Sequence, residues 1–199
     1  MSHGLKNEVA KITAQLLETT DAMEVVNDIL IPALDSAGKL FEQGKIFLPQ
    51  LIQTASVAQA AFEVIKTTLI ERNAAPVSRG EIVLATVKGD IHDIGKNIVR
   101  VLLENYGYTV LDLGRDVPCQ LVADTAKEHG VKLVGLSALM TTTLGAMEET
   151  IQLVKASCPD CKIVVGGAVL TADYAEKIGA DYYAKDAMET VAVAKEVVG

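Results

Sequence analysis

The chain has 199 residues, half of them hydrophobic, with a mean hydropathy of +0.30, 4% aromatics and no Trp, so its cores must be built from Leu, Ile, Val and Ala, which suits packed helices and buried parallel strands. A formal net charge of −8 and a pI near 4.9 provide no basic face for nucleic acid. No apolar run nears the ~20 residues of a membrane span, the N-terminal MSHGLKNEVAKITAQLLETT lacks the apolar core of a secretory signal, and three Cys do not make a disulfide framework; a cytoplasmic location without membrane or nucleic-acid partners is expected.

Up to about Arg72, apolar residues recur at helical spacing. Asp21 followed by Glu24 has the order of an N-cap and its partner. Residues 22–41 then read as helix, kinked or restarted at Pro32, which has no N–H to donate. Gly44-Lys45 reads as a turn, and Pro49 sits where a first-turn proline is tolerated. Leu51, Ile52, Ala55, Ala58, Phe62, Ile65 and Leu69 mark one face of the next helix. Residues 1–74 need no strand, and a four-helix bundle is the expected architecture. The stretch NAAPVSR, residues 73–79, breaks the pattern and is placed as the linker.

After Gly80 the pattern changes. Apolar, β-branched runs at 81–87, 109–113, 133–136, 163–165 and 181–183 alternate with amphipathic stretches at 94–106, 120–129, 144–156, 172–178 and 187–198. Five such alternations predict an α/β domain over residues 80–199, a doubly wound parallel five-stranded sheet of Rossmann-like (flavodoxin-like) type. Ligands of such sheets bind at the carboxyl ends of the strands, near the topological switch point.

The first loop of that kind is Gly89-Asp90-Ile91-His92-Asp93-Ile94-Gly95-Lys96-Asn97. Gly89 lets the chain turn. Asp90 can accept a hydrogen bond from one imidazole nitrogen of His92, fixing the tautomer and leaving the other nitrogen for a metal. Gly95 permits close approach of a bulky ligand. Alone, an Asp-x-His in a loop is an ordinary polar loop. A zinc site lacks ligands, because His3 and His129 lie in other contexts.

Asp90-x-His92-x-x-Gly95 resembles the DxHxxG signature of cobalamin-binding domains. Ser137-Ala138-Leu139 and Gly166-Gly167-Ala168 follow in the order of that family, each at the carboxyl end of a predicted strand. Residues 41–49, FEQGKIFLP, are similar to the helical cap that precedes the cobalamin domain in methionine synthase and in stand-alone corrinoid methyl carriers. The resemblance spans nearly the whole chain.

It implies a cofactor, cobalamin (methylcobalamin, cob(I)alamin or a related corrinoid), bound with its own benzimidazole displaced from cobalt and its nucleotide tail in a slot of the sheet domain. It assigns His92 as the lower axial ligand and sole metal ligand, with Asp90 on its far nitrogen and Thr143 extending the network, where methionine synthase has a serine. By the same resemblance the loop residues Gly89, Ile91, Asp93, Ile94 and Gly95 line the cofactor. Ser137, Leu139 and Thr141 meet the displaced base or the corrin edge; Gly166, Gly167 and Ala168 clear room for the nucleotide; Ala187 adds a contact. Phe41, Leu48 and Leu51 match residues that cover the upper corrin face, although their pattern equally suits a helix-bundle core.

The implied function is that of a methyl carrier, not itself a catalyst. Its expected partners are a substrate-specific methyltransferase, a methyltransferase that passes the group to a folate or thiol, and a reductive activator. The alternatives are the cobalamin subunit of an adenosylcobalamin-dependent mutase, a cobalamin-dependent sensor, or a cofactor-free doubly wound domain. Cys158-Pro-Asp-Cys161 precedes a strand, unlike a thioredoxin-type pair, and Cys119 reads as structural. Lys88 and Lys96 flank the loop and read as solvated charges or partner contacts.

Overall fold

The computed structural model describes residues 2–71 and 78–199. Of the expected linker at 73–79, only Ser78 and Arg79 are among them. The chain divides into two compact units, Met1–Ser78 with Glu104–Gly107, and Arg79–Leu103 with Tyr108–Gly199.

The first unit holds four α-helical segments, α1 (Ser2–Leu16), α2 (Ala22–Glu24), α3 (Ile31–Glu42) and α4 (Leu48–Glu71). A π turn, Val25–Leu30, joins α2 to α3. It answers the expected kink at Pro32. That proline lies in the first turn of α3, where its missing N–H and its ring oppose a continuous α ladder. The wider turn takes up the mismatch. Beyond α3 the chain reverses at Gly44, φ +68, with the N–H groups of Lys45 and Ile46 both donated to the Leu40 carbonyl. α1 packs along α4, and Leu17, Val25, Val26, Leu30, Ala61 and Ile65 form the shared core.

The second unit is a parallel five-stranded sheet in the order β2-β1-β3-β4-β5. Its elements are β1 (Glu81–Thr86), α5 (Ile94–Asn105), β2 (Thr109–Asp112), α6 (Cys119–His129), β3 (Leu133–Ser137), α7 (Leu144–Ser157), β4 (Lys162–Gly166), α8 (Ala172–Lys177), β5 (Tyr182–Tyr183) and α9 (Ala187–Val197). Each sits within one or two residues of its predicted range. The central strands are buried along their length, as β-branched strands covered on both faces must be. Strand order reverses between β1 and β3, so the loops leaving these two strands form the switch-point crevice.

An ion cluster fixes α5 against β2. The Lys96 ammonium is buried and donates to Asp112 Oδ1 at 2.5 Å and to Asn97 Oδ1 at 3.3 Å; Arg100 Nη1 donates to Asp112 Oδ2 at 3.1 Å, and the Gly114 N–H to Oδ1 at 2.9 Å. The expectation of a solvated Lys96 is thereby corrected: the helix phase turns it onto the Asp112 carboxylate. Burial pushes the Asp112 carboxyl up, but the Lys96 ammonium, the Gly114 N–H and Arg100 pull it further down, below the usual carboxylate range. A depressed carboxyl contributes stability that is full above its unfolded value and is lost as pH falls through its folded one. Asp112→Ala should cost about 3 kcal/mol, because it leaves a buried ammonium unpaired. Urea unfolding at a series of pH values tests both points, and Asp112→Asn should flatten the acid limb.

Candidate functional site

β1 ends at Thr86, and the chain turns through Gly89, φ +85, before α5. Asp90 is fully buried at the centre of this turn. Its Oδ1 accepts the His92 main-chain N–H at 3.0 Å and lies 2.8 Å from His92 Nδ1. Its Oδ2 accepts the main-chain N–H groups of Leu139 at 2.7 Å and Met140 at 3.2 Å, from the loop after β3. The Thr143 hydroxyl lies 3.2 Å from Oδ2 and 2.8 Å from the Met140 carbonyl, and shares its one proton between them. Burial pushes the Asp90 carboxyl up, but the His92 and Leu139 N–H groups, the His92 ring and the Met140 N–H together bring it down to about 2. An ionised carboxylate only accepts. Nδ1 of His92 therefore carries a hydrogen, which in the neutral ring leaves the lone pair on Nε2. The ring is 47% exposed.

The surroundings of that ring are apolar and open. Ile91, Ile94, Leu139 and Met140 are all exposed, which is unusual for four large side chains from two facing loops. Nothing lies within 4 Å of where a Gly95 Cβ would be. At the exit of β4, Gly167 has φ +140, and a Cβ there would enter the Ala138 carbonyl; a Cβ at Gly166 would stand 3.0 Å from the Ala184 carbonyl. The floor of the crevice is thus bare backbone. The Ser137 hydroxyl pairs with that of Thr86 at 2.9 Å.

This arrangement suits a corrinoid. Among the described residues no three His, Cys, Asp or Glu side chains converge as a metal site. A metal bound by His92 must then bring its other ligands with it, as a corrin ring does, and the apolar rim matches such a ring's faces and edges.

The structure brings Asp90, His92, Leu139 and Thr143 into direct contact and sets Ser137 beside them through Thr86. Thr141 is exposed on the 3-10 turn that ends at Thr143, Ala168 is exposed after β4, and Ala187 opens α9. Phe41, Leu48 and Leu51 belong to the first unit; Leu51 is 2% exposed, the other two half-buried, whereas the neighbouring Phe47, which sequence reasoning did not select, is 72% exposed. Sequence reasoning also missed Thr86, Asp116 and Met140. A threonine ending an apolar strand was the one available signal, since buried strand ends rarely carry a hydroxyl without use. Cys161 is buried, and its thiol is pushed up to about 12, first by burial and then by Cys158, so it is a poor nucleophile. No described helix is long and apolar enough to cross a membrane.

Comparison with known proteins agrees with this geometry. Residues 80–192 match the family described as B12 binding domain, and residues 1–66 match a second family of that description. Dimethylamine corrinoid protein 1 of Methanosarcina acetivorans is 43% identical over 180 residues, 89% of this chain and 84% of that protein. Trimethylamine corrinoid protein 1 of Methanosarcina mazei is 39% identical over 94% of this chain and 88% of its own length. A cobalamin-binding protein from Desulfitobacterium hafniense superposes with TM-score 0.70 at 33% identity, covering 98% of both chains. The methanol:cobalamin methyltransferase complex MtaBC of Methanosarcina barkeri superposes with TM-score 0.79 at 27% identity, over 98% of this chain and 80% of that one. A switch-point histidine fixed by a buried carboxylate, on a sheet and helical unit shared with these proteins, leads to one assignment: the chain belongs to the B12-binding domain family, among the corrinoid methyl-carrier proteins.

Proposed function

We propose that this protein binds a cobalamin-type corrinoid with the cofactor's own base displaced and His92 as the lower axial ligand, and that it carries a methyl group between partner methyltransferases. One observation supports the reading above the others. Asp90 Oδ1 lies 2.8 Å from His92 Nδ1, where the carboxylate favours a hydrogen on that nitrogen and leaves Nε2 of the neutral ring to donate its lone pair. When bound, the corrinoid would supply a cobalt centre able to accept and release a methyl group.

The chain's residues do the rest. Asp90 orients the imidazole, and Thr143 steadies Asp90 from the β3 side. Gly89, Ile91, Asp93, Ile94 and Gly95 shape the loop around the ring. Ser137, Leu139 and Thr141 face the displaced nucleotide, and Gly166, Gly167, Ala168 and Ala187 leave it space. Residues 80–199 form the cofactor domain in this reading. In this reading residues 1–74 are the cap domain, with Phe41, Leu48 and Leu51 as its candidates for excluding water from the cofactor. Such a cap favours a methyl carrier over a mutase subunit. The partners are a substrate-specific methyltransferase, a second methyltransferase serving a folate or thiol acceptor, and a reductive activator. The names of the relatives favour a methylated amine as donor, with the partner enzyme making the selection. The protein works in the cytoplasm.

Removing the imidazole tests the ligand. His92→Ala should still take up methylcobalamin, held by the crevice, but with a visible spectrum shifted to that of the unligated cofactor. A spectrum identical to the unmutated protein's would end this reading.

A further inference from the structure

Asp116 follows β2 and is the one non-glycine residue with positive φ (+53) among those described. The left-handed region is unfavourable for any residue with a Cβ, and it persists where the surroundings impose it. Here the surroundings are the His92 loop. Asp116 Oδ1 accepts the Gly89 N–H at 2.7 Å, and the Asp116 N–H is donated to the Asp90 carbonyl at 2.9 Å. The next residue, Val117, donates its N–H to Thr86 at 3.1 Å and bridges to Val87. One residue of a different loop thus grips both residues that precede Ile91 and His92. Gly89, itself at φ +85, gives the turn no stiffness of its own.

We infer that Asp116 is a positioning residue for the His92 ligand: its carboxylate and main-chain N–H lock the Gly89–Asp90 turn so that the imidazole presents Nε2 in one place. The inference rests on the reading of His92 as the axial ligand. Gly89 and Asp116 are both exposed, so water can replace the lost hydrogen bond when the carboxylate is removed. The fold then survives, and what is lost is the fixed position of the turn.

Three variants loaded with methylcobalamin test this by visible absorption at matched pH, down an acid series. Asp116→Gly relieves the backbone and removes the acceptor. Its ratio of imidazole-ligated to unligated cofactor should fall about tenfold, the scale of one charge-assisted hydrogen bond, with cofactor uptake retained and apo thermal unfolding no lower than in the unmutated protein. Asp116→Asn tolerates the same φ and keeps a carbonyl oxygen for the Gly89 N–H, so it should restore ligation. His92→Ala gives the spectrum of complete loss. If His92→Ala leaves the spectrum unchanged, the ligand reading fails. If it changes the spectrum but Asp116→Gly matches the unmutated protein, only the role of Asp116 falls. That role also falls if Asp116→Asn loses ligation as fully as Asp116→Gly, or if Asp116→Gly lowers the apo unfolding temperature.

Discussion

Gly167→Ala is expected to unfold the sheet unit or weaken it by about 3–5 kcal/mol, and to abolish corrinoid binding. The added Cβ would enter the main-chain carbonyl of Ala138, and no side-chain rotation can relieve that overlap. Separating the two segments is costly as well, because the Ala138 N–H is donated to the Gly166 carbonyl at 3.2 Å. The φ of +140 adds a second penalty for any residue with a Cβ. Gly145 is the natural control, since nothing lies within 4 Å of its Cβ position and it sits in α7. Gly145→Ala should be neutral or raise stability by up to about 1 kcal/mol. Urea unfolding with cobalamin titration reads both variants. A Gly167→Ala protein that unfolds at the same urea concentration as the unmutated chain and still takes up cofactor would show that the crevice floor is softer than its contacts imply.

The sheet unit was legible because buried parallel strands leave an undisguised record. The run from Ile82 to Ala85 is apolar throughout and buried, and Gly and Pro punctuate the connections. The ligand loop was legible because Asp90 and His92 lie two residues apart on one loop, so local geometry alone makes their contact available. The rest depends on register. Ala85 pairs with Leu136 and Thr86 with Ser137, and only that alignment brings the Leu139 and Met140 N–H groups to Asp90. Asp116 reaches Gly89 because β2 pairs with β1 one connection away, across a sequence separation that no local pattern encodes. Lys96 was misread for a related reason: the pattern of α5 marks which residues are apolar, not which buried position faces a carboxylate on β2. In the helical unit, apolar periodicity found the helices but did not separate buried Leu51 from exposed Ile52 on the expected face.

Asp90→Asn should separate the two tasks of this carboxylate. In the unmutated chain four N–H groups and a shared hydroxyl point at it, two N–H groups at Oδ1 from His92 and two at Oδ2 from the β3 loop. An amide has one acceptor end. If its oxygen faces the Leu139 and Met140 N–H groups, its NH2 faces the His92 main-chain N–H and Nδ1, which sets donor against donor. The imidazole escapes by moving its hydrogen to Nε2 and accepting at Nδ1. The fold then loses about 1–3 kcal/mol, the cost of one buried N–H left unpaired. The proposed ligation should suffer far more, because Nε2 then carries a hydrogen. Asp90→Ala removes every acceptor, so it should cost stability by a larger margin, about 3–5 kcal/mol. With no amide donor facing Nδ1, Asp90→Ala lets the ring keep its hydrogen there, so it should change the spectrum less than Asp90→Asn although it costs more stability, the opposite of a purely structural role, in which spectral change would track the loss of stability. Visible spectra of methylcobalamin-loaded protein, read beside urea unfolding of the apo chains, decide it. An Asp90→Asn protein with the imidazole-ligated spectrum intact would mean that the tautomer of His92 is set by something other than this carboxylate.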